Sequence, residues 1–229
     1  DYTLGNISYS TGKNEVGTVV TIPIIATDNS KYLTGVSYVH YTVTPCDLSA
    51  LSGSSIGASY TYSTKVITPS INTISCVIAN KNVVLNNGTD FEITSYSKNV
   101  NAGTANINIR FIGNYTGNAT YHFTIVPRDI TKSTISVSNP VYTGSSIYPS
   151  VSVKYGSLKL VKNTDYTISG AGKNAGAYIV TIKGKGNYKN SVKKSYIITP
   201  KKISGFKKSS NSKSSITLSW TSLSSTSNA

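Results

Sequence analysis

Apolar and polar residues alternate through much of the chain. Ala105, Ile107, Ile109 and Phe111 are interleaved with Asn106, Asn108 and Arg110. A period of two predicts a strand with one buried face and one wet face. Tyr178, Val180 and Ile182 carry the same pattern further on. Tyr41/Val43, Phe123/Ile125 and Tyr196/Ile198 carry it just before Pro45, Pro127 and Pro200. β-Branched and aromatic residues are abundant, as strands prefer. Gly, Asn and Ser clusters such as Asn86-Asn87-Gly88 and Lys98-Asn99-Val100-Asn101 punctuate the chain. No segment sustains a helical period.

The pattern recurs as a long internal repeat. One copy reads Thr164-Asp165-Tyr166-Thr167-Ile168, then Asn174-Ala175-Gly176, Gly186-Asn187-Tyr188 and Tyr196-Ile197-Ile198-Thr199-Pro200. An earlier copy reads Thr89-Asp90-Phe91-Glu92-Ile93, then Asn101-Ala102-Gly103, Gly113-Asn114-Tyr115 and Phe123-Thr124-Ile125-Val126-Pro127. The chain opens on Asp1-Tyr2-Thr3-Leu4, followed by Glu15-Val16-Gly17, Ser30-Lys31-Tyr32 and Tyr41-Thr42-Val43-Thr44-Pro45. The front halves match as well, since Pro127-Arg128-Asp129-Ile130 parallels Pro45-Cys46-Asp47-Leu48. The repeat therefore runs from Pro to Pro, 82 residues from Pro45 to Pro127 and 73 from Pro127 to Pro200.

Short strands in units of this size predict an all-β fold of tandem immunoglobulin-like β-sandwich modules. Residues 1–45 read as the back half of a preceding repeat, and the natural protein is expected to extend upstream. Residues 46–127 are a divergent repeat and 128–200 a basic one. Residues 201–229 are a linker and the start of a further domain.

These motifs resemble a repeat of large surface and secreted proteins of clostridial-group Gram-positive bacteria of gut and rumen. Tyr142-Thr143-Gly144, Pro149, Asn163-Thr164-Asp165-Tyr166-Thr167, Asn174-Ala175-Gly176 and Gly184-Lys185-Gly186-Asn187-Tyr188 carry the resemblance most fully. The middle copy departs from it, with Tyr62-Ser63-Thr64 in front and five extra residues between Pro69 and Asp90. Ile203-Ser204-Gly205-Phe206 and Ser215-Ile216-Thr217-Leu218-Ser219-Trp220 resemble the first two strands of a fibronectin type III domain, which would place Trp220 in a core. The resemblance implies an extracellular, cell-wall-associated or secreted protein and a non-catalytic repeat. The implied role is a stalk that displays or mediates adhesion. The alternative is a specific binding module for a host protein such as immunoglobulin, or for a polysaccharide, through the divergent middle repeat.

Charge sharpens the division. Residues 1–127 hold six basic and six acidic side chains, whereas 128–229 hold sixteen basic and two acidic ones, so the whole net charge of +14 lies in the second half. Such a half attracts anionic polymers. Lys outnumbers Arg 20 to 2, and the planar, bidentate contacts of specific nucleic-acid readout favour Arg. The expected partners are therefore cell-wall polymer, a host glycoprotein or immunoglobulin, or a polysaccharide, with no nucleic acid. No apolar run approaches the ~20 residues of a membrane-spanning helix, so no membrane insertion is expected, and the chain is expected to be a monomer.

Residues able to carry chemistry are few. His40 and His122 both stand five residues before a closing Pro, where Ser195 stands in the last copy, so they read as one solvent-side strand position. Asp90, Asp165 and Asp1 recur before an aromatic, which suggests a turn or cap whose carboxylate accepts backbone N–H bonds. No catalytic, cofactor-binding or metal-binding constellation is present, and no enzyme is expected. Cys46 and Cys76 are private to the middle copy. They read either as a disulfide, worth roughly 3 kcal/mol on a chain-entropy basis, or as two free thiols. Eleven of the 17 tyrosines recur at matching positions and read as scaffold. Tyr148 and Tyr155 remain as candidate ligand contacts beside the basic surface. Ile74 and Lys81 are candidates within the inserted Ile71–Lys81 segment.

Overall fold

A computed structural model describes residues 1–13 and 15–221. Among them the chain is all-β, with two short 3-10 turns and no α-helix. It divides into two compact units, Asp1–Ile125 and Val126–Ala229.

The first unit begins with one sheet. Strand β3 (Val19–Ala26) is central and antiparallel to its neighbours. β1 (Tyr2–Leu4) and β2 (Ser8–Tyr9) share one edge, and β4 (Val36–Thr42) runs along the other. Register puts Tyr2, Leu4, Val20, Ile22, Ile24, Val39 and Tyr41 on one face. The inward position expected for Tyr41 is corrected here, because its ring is 53% exposed. The face is apolar by sequence, but among the described residues no second layer lies over Tyr41, so its ring stays in water.

The middle repeat follows. β5 (Cys46–Asp47) leads into the 3-10 turn Ser49–Leu51 and then β6 (Ser55–Thr61). β7 (Thr73–Ile78) and β8 (Lys81–Asn86) form a hairpin. β9 (Phe91–Ser97), β10 (Gly103–Phe111), β11 (Tyr115–Thr116) and β12 (Asn118–Val126) complete it. One layer has the order β6-β12-β10-β9 and the other is the β7-β8 pair. The period-two pattern decides which side chains go in. Ala105, Ile107, Ile109 and Phe111 are buried from β10, and Tyr121, Phe123 and Ile125 from β12. Leu85 and Ile74 meet them from the second layer. Each of the buried Ile, Leu and Phe side chains contributes about 1.5–3 kcal/mol by leaving water.

The second unit repeats the plan with one change. β13 (Arg128–Asp129), the 3-10 turn Ile130–Lys132 and β14 (Thr134–Val137) open it. β15 (Val151–Tyr155), β16 (Leu158–Lys159), β17 (Tyr166–Ser169), β18 (Gly176–Gly184), β19 (Tyr188–Lys189) and β20 (Ser191–Ile198) follow. Its layers are β14-β15-β16 and β17-β18-β20. Val153, Leu160, Val180, Ile182, Tyr196 and Ile198 are buried between them. A last hairpin, β21 (Lys207–Asn211) with β22 (Ile216–Ser219), carries Trp220 at its end. Trp220 is 55% exposed rather than in a core, and Phe206, Ile216 and Leu218 beside it are exposed too. A hairpin alone has no opposing layer to bury them.

Candidate interaction surface

The two complete repeats share their joints. Asp47 Oδ1 accepts the Ser49 N–H at 2.9 Å and the Ser49 hydroxyl at 2.7 Å. Asp129 Oδ1 accepts the Thr131 N–H at 2.9 Å. These backbone hydrogen bonds, followed by side-chain ones, hold both carboxyls below the ordinary aspartate value. The short strand after each Pro then pairs in parallel with the one carrying the Gly-Asn-Tyr motif, β5 with β11 and β13 with β19. Asp90 and Asp165 behave as the sequence suggests. Their carboxylates accept the N–H of Asn86 and of Val161, each at 2.8 Å.

The repeats part company at the strand after the joint. In the third repeat β14 lies antiparallel on β15, with Ile135 opposite Val153 and Val137 opposite Val151. The chain then crosses over, and residues 139–142 run beside the end of β20, where Tyr142 N–H donates to Thr199 O. In the middle repeat β6 goes directly to β12. Gly53 N–H donates to Thr120 O, and His122 N–H to Ser54 O. As a result, among the described residues, β7, the counterpart of β15, has β8 as its one ladder partner.

The extra residues of the middle copy lengthen this hairpin. Ile74 pairs with Leu85, and Leu160 N–H donates to Val153 O. In both repeats the second residue of the pair lies just before the amide held by the recurring Asp. Eleven positions separate Ile74 from Leu85 and seven separate Val153 from Leu160, so four extra residues extend the two arms. The turn is Ala79-Asn80, both at positive φ. Ile74 is buried and Lys81 is exposed at the start of β8.

A groove of about 470 Å³ lies between β6 and the open edge of β7. Tyr121 and Leu51 line it together with Ile56, Ala58 and Tyr60 of β6 and Ile74 and Cys76 of β7. Its remaining lining is Ser, Thr, Asn and Ile71, with no charged side chain. Cys46 and Cys76 are both free thiols, Cys46 exposed and Cys76 half-buried against the core. Burial pushes the Cys76 thiol up, with a smaller push from the Cys46 charge.

The third repeat presents a different surface. Lys132, Lys154, Lys159, Lys162, Lys173, Lys183, Lys185, Lys189, Lys193 and Lys194 are all exposed. Tyr148 is 45% exposed, with Lys162 Nζ 5.7 Å from its ring centre. Tyr155 is half-buried, its ring 4.7 Å from the Arg128 guanidinium and 6.0 Å from Tyr188. Repeated tyrosines serve the scaffold. Tyr96 OH donates to Pro69 O at 2.8 Å, and Tyr196 OH to Gly170 O at 2.9 Å. The two histidines share a position, as the spacing implies. His40 Nδ1 hydrogen-bonds Thr21 Oγ1 at 2.9 Å, and His122 Nδ1 hydrogen-bonds Asn106 Oδ1 at 3.0 Å, each across its strand pair. Among the described residues no three metal-ligating side chains cluster, and no helix is long and apolar enough to cross a membrane.

Sequence reasoning located the inserted segment but missed the groove. The only signal for it was the departure of the middle copy from the repeat. No family model, curated protein or solved structure matches the chain.

Proposed function

We propose that the chain is a non-catalytic segment of tandem immunoglobulin-like modules, belonging to a bacterial cell-surface or secreted protein in which it displays or mediates adhesion. The observation that carries this reading is the recurrence of one joint. The Pro-x-Asp strand, its 3-10 turn and the parallel pair with the Gly-Asn-Tyr strand appear in both complete repeats. A joint rebuilt with the same hydrogen bonds fixes chain entry in each module, which suits serial display. Ten exposed lysines on the third repeat favour anionic cell-wall polymer or mucus glycans as its contact, through long-range, salt-sensitive attraction.

A second reading gives the middle repeat a specific partner, a host protein or a polysaccharide. The groove beside its lengthened hairpin favours it. One screen separates the two. The full chain is tested against immunoglobulins, mucin, cellulose, starch and teichoic acid at about 150 and 500 mM salt, where screening is weak and strong respectively. Binding to teichoic acid or mucin that vanishes at high salt supports the stalk with a basic contact. Salt-resistant binding to one partner, lost on changes within residues 70–82, replaces it with the second reading.

A further inference from the structure

The middle repeat is a four-stranded layer facing a two-stranded one. Neighbouring strands lie ~4.8 Å apart, so the larger layer overhangs the smaller by about two strand widths, ~10 Å. The overhang is where the groove lies, with Tyr121 of β12 and Ile56, Ala58 and Tyr60 of β6 facing it. In the third repeat the equivalent place on β15 is filled by β14, which makes the layers equal.

The unused edge has a defined polarity. Ile78 and Lys81 close the two-residue turn of the β7-β8 hairpin, so they form a hydrogen-bonded pair. Bonded pairs alternate along an antiparallel ladder, which makes Cys76–Val83 and Ile74–Leu85 bonded as well. Thr73, Ser75 and Val77 therefore direct their N–H and C=O groups away from β8, toward the groove. The same phase holds in the third repeat, where Val153 O accepts from Leu160 N–H and the residues on either side of Val153 face β14.

We propose that this edge of β7 is a strand-addition site, which takes an extended peptide segment of a partner protein antiparallel to β7. The occupant has the chemistry of β14, alternating uncharged polar and β-branched apolar residues as in Thr134-Ile135-Ser136-Val137. Main-chain hydrogen bonds to Thr73, Ser75 and Val77 supply the affinity, and one apolar side chain opposite Ile74 supplies the selection. A charged residue there is rejected, because the lining offers no counter-charge and desolvation goes uncompensated. The inference rests on the second reading above and names its partner class.

The test uses the full chain and a fluorescent peptide with the sequence of residues 133–138, Ser-Thr-Ile-Ser-Val-Ser. Saturable anisotropy is expected, and hydrogen exchange is expected to slow at the amides of Thr73, Ser75 and Val77. Replacing the peptide isoleucine by aspartate should weaken binding about tenfold or more. Ser75→Pro removes an edge donor without touching the β8 ladder and should have a similar effect. Absence of binding, or equal binding by the aspartate peptide, overturns the proposal. So does slowed exchange at β7 accompanied by faster exchange at Gly53 and His122, since that would mean β6 had moved across. The peptide needs no natural partner. A negative screen with a positive titration removes the panel partners and keeps the edge, and the reverse removes the edge alone.

Discussion

The middle and third repeats share joints, buried positions and closing strands, yet one is built four strands on two and the other three on three. The neighbours of one buried aromatic differ along with it. Ala105 of β10 is the counterpart of Tyr178 of β18, and Phe123 of β12 that of Tyr196 of β20. In the third repeat Tyr178 stacks on Tyr196, with ring centres 5.7 Å apart. In the middle repeat Ala105 stands there instead, and Tyr60 meets Phe123 edge-on at 5.6 Å and 86° from β6, on the opposite side of β12. The closing-strand aromatic thus meets an aromatic from β6 in the middle repeat and from β18 in the third. The lesson is that one repeated core position can be completed by aromatics from different strands.

The largest expected effect comes from removing the shared aromatic. Phe123→Ala should cost the middle repeat about 3–5 kcal/mol and raise exchange at the β6–β12 hydrogen bonds before the rest of the layer. Urea denaturation with site-resolved exchange reads both, and uniform loosening of the layer would show that Tyr60 does not anchor β6. Next in size, Ala105→Tyr imports the third-repeat residue beside Phe123, on its β10 side. Overpacking of about 1–3 kcal/mol is expected because Ala105 is fully buried, and making Tyr60 alanine as well should not relieve it, since Tyr60 lies across β12. Recovery of stability in the double variant would show instead that the two side chains compete for one space.

Smaller effects concern the hairpin and the joint. Ala79 sits at φ +48 in the turn of the long hairpin, where the third repeat has Gly156 at φ +61. Ala79→Gly should stabilise by about 0.5–1 kcal/mol, because relief of left-handed strain outweighs the added unfolded-state freedom; a lower melting temperature would contradict this. The pH effect is the smallest and should be alike in the two repeats. Asp47 and Asp129 are held below their usual 3.8 by accepted backbone hydrogen bonds. A folded value below the unfolded one stabilises fully above the unfolded value and is lost as pH falls through the folded one. Melting temperature should therefore fall on acidification below about pH 4, and less steeply in Asp47→Asn and Asp129→Asn. Equal slopes in variant and parent would remove the two caps from the pH response.

The alternation of Ala105 to Phe111 and of Tyr121 to Ile125 determined by itself that these segments are strands and which face is buried, because side chains on a strand alternate sides whatever lies opposite. The repeated Asp likewise determined the turns at Asp90 and Asp165, since a short carboxylate reaches only nearby amides. Tertiary structure alone decided the rest. Tyr41 has an inward sequence pattern and lies in water, because burial needs a second layer and a pattern does not supply one. β6 and β14 both alternate apolar with polar, and each turns its apolar face toward the core from its own layer. Periodicity is blind to that choice, which shows only in the long-range pairing, β6 on β12 and β14 on β15.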